Sequence, residues 1–147
     1  MSEARIRNRS CAIVLDGDKI LLVQHEKYGA RYWLLPGGGV DFGETLAEAA
    51  QREMREETNL EVAIGRLLFV SESIPPDRHR HVINYYFEAK LTGGELQLGD
   101  DPYLVDVQWH RIEELPHLDL RPHVGQTLCE WIQSGTLPPP SLGNIWR

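Results

Sequence analysis

Residues 38–60 read GGVDFGETLAEAAQREMREETNL. Three glutamates lie close together near the end of this stretch: Glu53, Glu56 and Glu57. If the stretch is helical, like charges three and four residues apart repel one another by about 0.2–0.5 kcal/mol per pair. The sequence therefore places a repulsive carboxylate cluster shortly after a run of three glycines that begins at Gly37.

The stretch carries signals for both ends of a helix. Thr45 and Glu48 form a capping box, and Asn59 tolerates the left-handed conformation that closes a helix, so we predict a helix over 45–58. At 3.6 residues per turn, Arg52 shares one side of this helix with the three glutamates, and Met54 lies on a separate apolar stripe. A charged helix face is most often simply solvated, and the glutamates alone favour that interpretation.

The neighbouring residues favour a metal site instead. Carboxylate oxygens on one face suit Mg²⁺ or Mn²⁺ better than Zn²⁺. Glycines allow backbone carbonyls to approach the same point, because no Cβ intervenes. Arg52 can hold one carboxylate through two hydrogen bonds and fix its direction. A divalent cation would then relieve the repulsion between the glutamates.

The rest of the chain alternates strand and helix patterns. Two apolar runs within 10–25 are separated by Asp16-Gly17-Asp18, which predicts a hairpin. Further strand patterns lie at three places: 60–73, 81–91 and 104–110. We predict a second helix over 119–135, with Asp119 near its start and Gly135 as its stop.

The length and the order of elements predict one domain. The 147 residues show no composition break, so we expect a single domain over 1–147, with 136–147 as an extended Pro-rich tail. Strands before, between and after two helices indicate an α+β protein or a helix–sheet–helix sandwich.

Composition and charge exclude several classes of protein. The net charge of −7 argues against a general nucleic-acid binder, which needs a basic face, and against docking on an anionic membrane. Cys11 and Cys129 fit small buried residues in a reducing compartment. No segment has the length of a signal peptide or a membrane span, so we expect a cytoplasmic protein.

The stretch that opens at Gly38 resembles the signature of the Nudix hydrolases. Gly38 is followed after five residues by Glu44, and after seven more by the run Arg52-Glu53-Met54-Arg55-Glu56-Glu57-Thr58-Asn59-Leu60. Asn59 stands where the family has glycine, and asparagine is the next-best residue for a left-handed conformation.

The resemblance implies a fold, a metal and a chemistry. The fold would be an α/β/α sandwich with a mixed β-sheet between helices, and the activity would be metal-dependent cleavage of a nucleoside diphosphate linked to another group. Four groups would hold Mg²⁺, or Mn²⁺ in its place: the side chains of Glu53, Glu56 and Glu57 and the carbonyl of Gly38. Arg52 would orient the carboxylates, and Glu44 would brace the junction between loop and helix.

The resemblance leaves the general base open. Many relatives carry an acid six residues before a tryptophan, here Trp109, but that position is Tyr103. Asp100 and Asp101 are close enough in sequence to substitute, and the alternative is that both only cap a turn after Gly99.

Substrate choice is equally open. Family members that act on ADP-ribose often carry a proline about fifteen residues after the signature, and Pro75 occupies that position, which favours ADP-ribose. Arg78 and Arg80 are candidates for contacts with phosphate or ribose, and Trp33 is a candidate for stacking on a base. All four residues equally fit an ordinary loop or a protein core.

Two rival functions have distinct consequences. A housecleaning enzyme for (d)NTPs would release a nucleoside monophosphate and pyrophosphate, whereas cleavage of ADP-ribose gives AMP and ribose 5-phosphate. A non-catalytic nucleotide sensor would have lost carboxylates, and all three glutamates are present. We expect a small-molecule partner, no nucleic acid, no membrane and, by analogy with short relatives, a homodimer.

Overall fold

Within residues 4–146, which the structure describes, the computed structural model contains eight strands, two α-helices and one 3₁₀ helix. The strands are β1 (Ile6–Asp16), β2 (Lys19–Lys27), β3 (Ala30–Leu34), β4 (Gly37–Gly39), β5 (Leu60–Ser73), β6 (His81–Gly94), β7 (Leu104–Arg111) and β8 (Ser141–Asn144). The helices are α1 (Leu46–Thr58) and α2 (Gly125–Ser134), and the 3₁₀ helix is Ile112–His117.

The strands form one mixed sheet in the order β3-β2-β1-β6-β5-β8. Strand β1 runs parallel to β6 and antiparallel to β2 and β4. It pairs with β2 only next to the hairpin turn, where Leu15 lies opposite Ile20, and with β4 further back, where Ser10 lies opposite Gly38. Strand β2 continues against β3 and β7. On this side, β1 therefore has β2 as its partner at the hairpin end and β4 as its partner further from the turn.

The two helices cover opposite faces of the sheet. Because side chains alternate along a strand, Ala12 and Val14 of β1 pack with Met54 of α1, whereas Cys11 and Ile13 pack on the other face. On that second face they meet buried residues of α2 and of the segment before it: Leu120, Val124, Leu128, Cys129 and Trp131. The expected sandwich of helix, mixed sheet and helix is therefore the observed fold.

Helix α1 has the ends that its sequence predicts. Glu48 N donates to the Thr45 hydroxyl at 3.0 Å, and Thr45 N donates to the Glu48 carboxylate at 2.9 Å. Asn59 closes the helix in the left-handed conformation with φ 62°. The same helical wheel that places Arg52 beside the glutamates would put Thr58 on the solvated side, yet Thr58 is fully buried. Its hydroxyl is satisfied there by donating to the carbonyl of Met54 at 2.7 Å.

The second helix begins later than predicted. It starts at Gly125 rather than near Asp119, and Gly135 ends it in the left-handed conformation with φ 76°. Asp119 accepts hydrogen bonds from the side chain of Arg121 and does not cap a helix. The first part of the segment assigned to helix instead holds Leu120, which bridges to Trp33 of β3, and Pro122. Helical spacing of apolar residues does not record where the backbone turns, and a proline disfavours helix in the residue before it.

Three other segments also differ from expectation. Residues 26–33 have a loop-like sequence, but β2 continues to Lys27 and Ala30–Leu34 forms β3; the glycine run forms β4, so these segments are held by hydrogen bonds to neighbouring strands. The sequence Thr-Gly-Gly-Glu at 92–95 predicts a turn, but β6 continues to Gly94, which pairs with Leu60. Part of the predicted tail, Ser141–Asn144, forms β8 parallel to β5.

Cys11 and Cys129 are both free thiols and both buried, as their positions in apolar runs predict. Among the described residues, no helix combines the length and the apolar character that crossing a bilayer would require.

Candidate active site

The glycine run sits directly beneath the carboxylates of α1. Gly37 N donates to Glu57 Oε1 at 2.8 Å. A Cβ built on Gly37 would overlap the carbonyl oxygen of Ser10, and one built on Gly38 would lie 2.6 Å from Glu53 Oε1. Real Cβ contacts of that length essentially do not occur, so Gly37 needs glycine for close approach to the backbone rather than for a special backbone angle. At Gly38 an added Cβ would displace the end of the Glu53 side chain.

Arg52 connects the helix to the loop before it. Its Nε and Nη2 donate to the two oxygens of Glu44 at 2.8 and 3.0 Å, which is a bidentate pair. Nη2 also donates to the carbonyl of Gly39 at 2.9 Å. Nη1 donates to Glu53 Oε1 at 2.9 Å and lies 3.3 Å from Glu56 Oε2. Nη2 also lies 3.5 Å from Asp41 Oδ2, so one guanidinium connects four carboxylates and the glycine run.

The three glutamates differ in exposure. Glu57 is 7% exposed and is held by the backbone of Gly37. The side chain of Glu53 is 17% exposed and lies against Gly38. The side chain of Glu56 is 57% exposed, and its side-chain partner among residues 4–146 is Arg52, at 3.3–3.4 Å. Two carboxylates of the cluster are thus fixed in place, and the third faces solvent.

Within this cluster the pKa of Glu53 is raised and the pKa of Glu44 is lowered. Burial raises the pKa of Glu53, and the charges of Glu57 and Glu56 add to that rise, against the hydrogen bond from Arg52. The hydrogen bond from Arg52, followed by that from the backbone of Asp41, lowers the pKa of Glu44 to about 2. Hydrogen bonding to Glu44 raises the pKa of Arg52, so this pair stays ionised at neutral pH.

The carboxylates do not already form a closed metal cage. Within residues 4–146, no three His, Cys, Asp or Glu side chains surround a common point closely enough to hold an ion. Nη1 of Arg52 contacts both Glu53 and Glu56 and so partly neutralises them. The donor set nevertheless has the chemistry of a hard divalent cation: carboxylate oxygens beside an uncrowded backbone.

Sequence reasoning missed His25, the residue that faces Glu57 from the sheet. Its Nε2 is buried without a hydrogen-bond partner among the described residues and lies 3.9 Å from Glu57 Oε2. Leu21 of the same strand belongs to the apolar cluster under Met54, and the two-residue alternation of β2 carries that face to His25. The alternation of side chains along β2 could therefore have placed His25 on the face of the sheet that α1 covers.

Arg9 also lies behind the glycine run and was not predicted. Its Nη2 donates to the carbonyl of Leu35 at 3.0 Å and lies 3.5 Å from that of Gly37. Its Nη1 contacts the sulfur of Cys11 at 2.6 Å. Arg9 therefore supports the segment that presents Gly37 and Gly38.

The two candidate loop acids do not join the cluster. Asp100 and Asp101 are exposed, and Asp101 accepts a hydrogen bond from the backbone of Tyr103 at 2.8 Å, as expected of a residue that closes a turn. The loop itself lies against the end of α1, because Gly99 N donates to the carbonyl of Glu57 at 3.1 Å.

The predicted substrate contacts fall into two places. Trp33 belongs to β3, is half-buried against the apolar core and meets His110 edge-on with ring centroids 4.3 Å apart. Pro75, Arg78 and Arg80 lie together in the loop between β5 and β6, where Pro75 is buried and both arginines are exposed.

The family profile of the NUDIX domain matches residues 5–131. The chain belongs to the Nudix family. The match covers the carboxylate helix, the glycine run and most of both helical layers, so the resemblance carried by 38–60 extends across the fold.

Relatives of this Nudix domain carry several different names. The chain is 37% identical over 113 residues to an ADP-ribose pyrophosphatase of Methanocaldococcus jannaschii, an alignment covering 73% of this chain and 66% of that protein. It is 35% identical to the human 8-oxo-dGDP phosphatase NUDT18 over 81% of this chain and 38% of that protein. It is 34% identical to an NAD-capped RNA hydrolase NudC of Pectobacterium carotovorum over 78% of this chain and 42% of that protein. The chain thus spans two thirds or less of the length of these relatives.

Solved structures agree with the fold. A NUDIX hydrolase from Nitrosomonas europaea superposes with a TM-score of 0.78 at 25% identity, covering 100% of this chain and 82% of that one. A MutT NUDIX hydrolase from Burkholderia pseudomallei superposes with a TM-score of 0.72 at 27% identity, covering 86% and 97%.

Proposed function

We propose that this Nudix domain is a metal-dependent hydrolase that cleaves the pyrophosphate linkage of a nucleoside diphosphate derivative. The observation that carries the proposal is the fixed position of Glu53 and Glu57 against the backbone of Gly37 and Gly38. Buried carboxylates that repel one another are costly, and a site that binds a cation recovers that cost.

The residues fit Mg²⁺ or Mn²⁺. The ligands would be Glu53, Glu56 and Glu57 with the carbonyl of Gly38, all hard oxygen donors. When bound, such an ion neutralises the pyrophosphate and lowers the pKa of an attacking water. The acidic protein needs this, because its net charge of −7 would otherwise repel a polyphosphate.

The other residues of the site would position these ligands. Arg52 holds Glu53 through a 2.9 Å hydrogen bond and is itself held by Glu44. Because Glu44 keeps its charge down to a pH of about 2, the brace persists at any pH at which the enzyme would work. Asp100 and Asp101 remain candidates for the base that accepts the proton of water, since their loop contacts the end of α1.

ADP-ribose is the favoured substrate. It is supported by the name of the relative from Methanocaldococcus jannaschii and by Pro75 at the position where ADP-ribose enzymes of the family often carry proline. A second candidate is an oxidised purine nucleotide, supported by the name of the NUDT18 relatives. We extend the proposal to a cytoplasmic location and to a homodimer. Light scattering of the pure protein tests the dimer directly.

The deciding experiment is a substrate panel with the products identified by chromatography. The panel contains ADP-ribose, dGTP, 8-oxo-dGDP, NAD⁺ and NAD-capped RNA, each with Mg²⁺, with Mn²⁺ and with EDTA. We expect cleavage of ADP-ribose to AMP and ribose 5-phosphate, and none in EDTA. Pyrophosphate release from dGTP would favour the housecleaning function. Absence of metal-dependent turnover on every compound would instead support a non-catalytic nucleotide sensor and overturn the proposal.

A further inference from the structure

Four exposed arginines differ from the other exposed arginines in the described part of the chain because no carboxylate lies within ion-pair distance of them. Within residues 4–146, the side chains of Arg5, Arg7, Arg78 and Arg80 make no ion pair with a carboxylate. Six other arginines each lie within 4.0 Å of one: Arg31, Arg52, Arg55, Arg66, Arg111 and Arg121. In a chain with a net charge of −7, four unneutralised cations are a local excess of positive charge.

The topology brings these four arginines to one end of the sheet. Strands β1 and β6 are parallel, with Ile6 opposite His81. Continuing that register by one residue places Arg5 beside Arg80. Arg7 lies further along β1, and its Nη2 would be 3.4 Å from a Cβ built on Gly39. The positive patch therefore extends from the loop between β5 and β6 toward the glycine run of the candidate active site.

A cavity lies at one end of this patch, beside Arg78 and Arg80. Its volume is about 680 Å³, which lies in the range of about 300–1,000 Å³ for small-molecule sites. Its lining also includes Pro75, Pro76, Asn144 and Trp146. The two carboxylates nearest in sequence are already engaged: Asp77 with the ring of His79, and Glu72 with that of His81.

The C-terminal segment holds an aromatic side chain over the cavity. Asn144 accepts a hydrogen bond from the backbone N–H of Ile74 at 2.9 Å and donates to its carbonyl at 3.2 Å. Ile145 N donates to the carbonyl of Glu72 at 2.7 Å. These contacts fix the half-buried Trp146, whose ring centroid lies 5.8 Å from the guanidinium of Arg80.

We propose that this arginine–tryptophan pocket binds a nucleoside 5′-phosphate, with the phosphate on Arg78 and Arg80 and the base against Trp146. Guanidinium groups match phosphate through paired hydrogen bonds, and an indole ring accepts the face of any base. The nucleotide is either the distal half of the substrate or a free nucleotide. The first source is open because β6, which follows the pocket loop, pairs with β1, whose Arg7 lies beside Gly39.

The first test is binding without metal, so that it does not depend on hydrolysis. Calorimetry in EDTA compares AMP, ribose 5-phosphate, adenosine and inorganic phosphate. We expect AMP to bind about tenfold more tightly than ribose 5-phosphate, because stacking adds to the phosphate contact. Failure of AMP to bind the metal-free protein overturns this inference but leaves the proposed hydrolase function standing.

Variants assign the binding to the pocket. The double substitution Arg78→Gln with Arg80→Gln should weaken AMP and ribose 5-phosphate about tenfold or more and leave adenosine unchanged. Trp146→Leu should weaken AMP and adenosine and leave ribose 5-phosphate unchanged. The matched control is the double substitution Arg66→Gln with Arg111→Gln, which removes two arginines that pair with Glu88 and Glu113. Equal effects of the two double variants would contradict the assignment.

Kinetics distinguish the two sources of the nucleotide. If the pocket holds half of the substrate, the Arg78→Gln and Arg80→Gln double variant raises KM about tenfold with little change in kcat. If it holds a separate nucleotide, KM for the substrate stays constant while AMP binding is lost. Both results support a nucleotide site in the pocket, and they differ only in what fills it.

Discussion

The carboxylate face of α1 and the arginine–tryptophan pocket are built in opposite ways. At the carboxylate face, the single side chain of Arg52 makes hydrogen bonds to Glu44, to Glu53 and to the backbone of Gly39. The charges of Arg52, Glu44 and Glu53 are therefore paired with one another and partly buried. In the pocket, Arg78 and Arg80 are exposed and have no carboxylate partner within the described chain. Charges that pair with one another stabilise the fold, whereas charges without a carboxylate partner are available to a ligand.

This difference predicts where a substitution damages stability and where it damages only binding. Changes that break the contacts of Arg52 or the close packing of the glycine run should lower activity and the free energy of unfolding together. Changes to the pocket arginines should weaken ligand binding without lowering the free energy of unfolding.

The largest effect is expected for Glu57→Gln. The amide keeps the shape of the side chain but removes the charge that would hold a cation, so kcat should fall by about 10³-fold or more. The measurement is steady-state hydrolysis with Mg²⁺ and Mn²⁺, with circular dichroism to confirm folding. Glu61→Gln is the matched control, because the side chain of Glu61 is 50% exposed and its one ion pair in the described part of the chain is with Arg55 in the last turn of α1. Near-normal turnover by Glu57→Gln would remove the carboxylate face from the mechanism.

The next effect is expected for Gly38→Ala. A Cβ at this position would overlap the carboxylate of Glu53, which must then move away from the glycine run. We expect kcat to fall about 10- to 100-fold and the free energy of unfolding to fall by about 1–3 kcal/mol. Hydrolysis rates and urea unfolding measure the two quantities.

The control for Gly38→Ala is Gly93→Ala in β6, where nothing lies within 4 Å of an added Cβ. That variant should keep full activity, with the free energy of unfolding changed by less than about 1 kcal/mol. Similar losses in both variants would mean that the glycines act through backbone flexibility and not through close approach.

A paired substitution compares the two regions directly. Arg52→Lys keeps the charge but loses the two-pronged contact with Glu44, so we expect about 1–2 kcal/mol of destabilisation and about tenfold lower kcat. Arg80→Lys loses no ion pair and should unfold at the same urea concentration as the parent protein, while its affinity for AMP falls. Equal destabilisation by the two substitutions would contradict the distinction between paired and unpaired charges.

The same distinction explains what the sequence could predict. The carboxylate face comes from 23 consecutive residues, 38–60, in which helical spacing and capping rules place the charged cluster and both helix ends. The predicted capping box, the left-handed Asn59 and the hairpin around Gly17 all follow from such local rules, and the structure contains each of them.

The remaining features depend on contacts between distant segments. The pocket combines residues of 74–81 and 144–146, which meet because β8 pairs with β5. His25 faces Glu57 across 32 positions of sequence, and only the strand pairing sets that distance. The late start of α2 belongs to the same class, since Leu120 forms a bridge with Trp33 of β3 instead of entering the helix.

The smallest effects concern two residues that share a left-handed backbone, one in each region. Asn59 ends α1 with φ 62°, and Arg78 lies in the pocket loop with φ 57°. Asparagine tolerates this conformation, whereas arginine there costs roughly 1 kcal/mol. Asn59→Gly should therefore change the free energy of unfolding by less than about 0.5 kcal/mol, because relief of the backbone offsets the lost hydrogen bond to the carbonyl of Glu95.

Arg78→Gly should stabilise the protein by about 1 kcal/mol, or roughly 2–4 °C in Tm, while it weakens AMP binding. Calorimetric melting of both variants beside the parent protein measures the difference. A gain in stability with a loss of affinity at Arg78 is the behaviour of a residue kept for its ligand. If Arg78→Gly instead lowers Tm, the guanidinium supports the fold, and the contrast between the pocket and the carboxylate face fails at that residue.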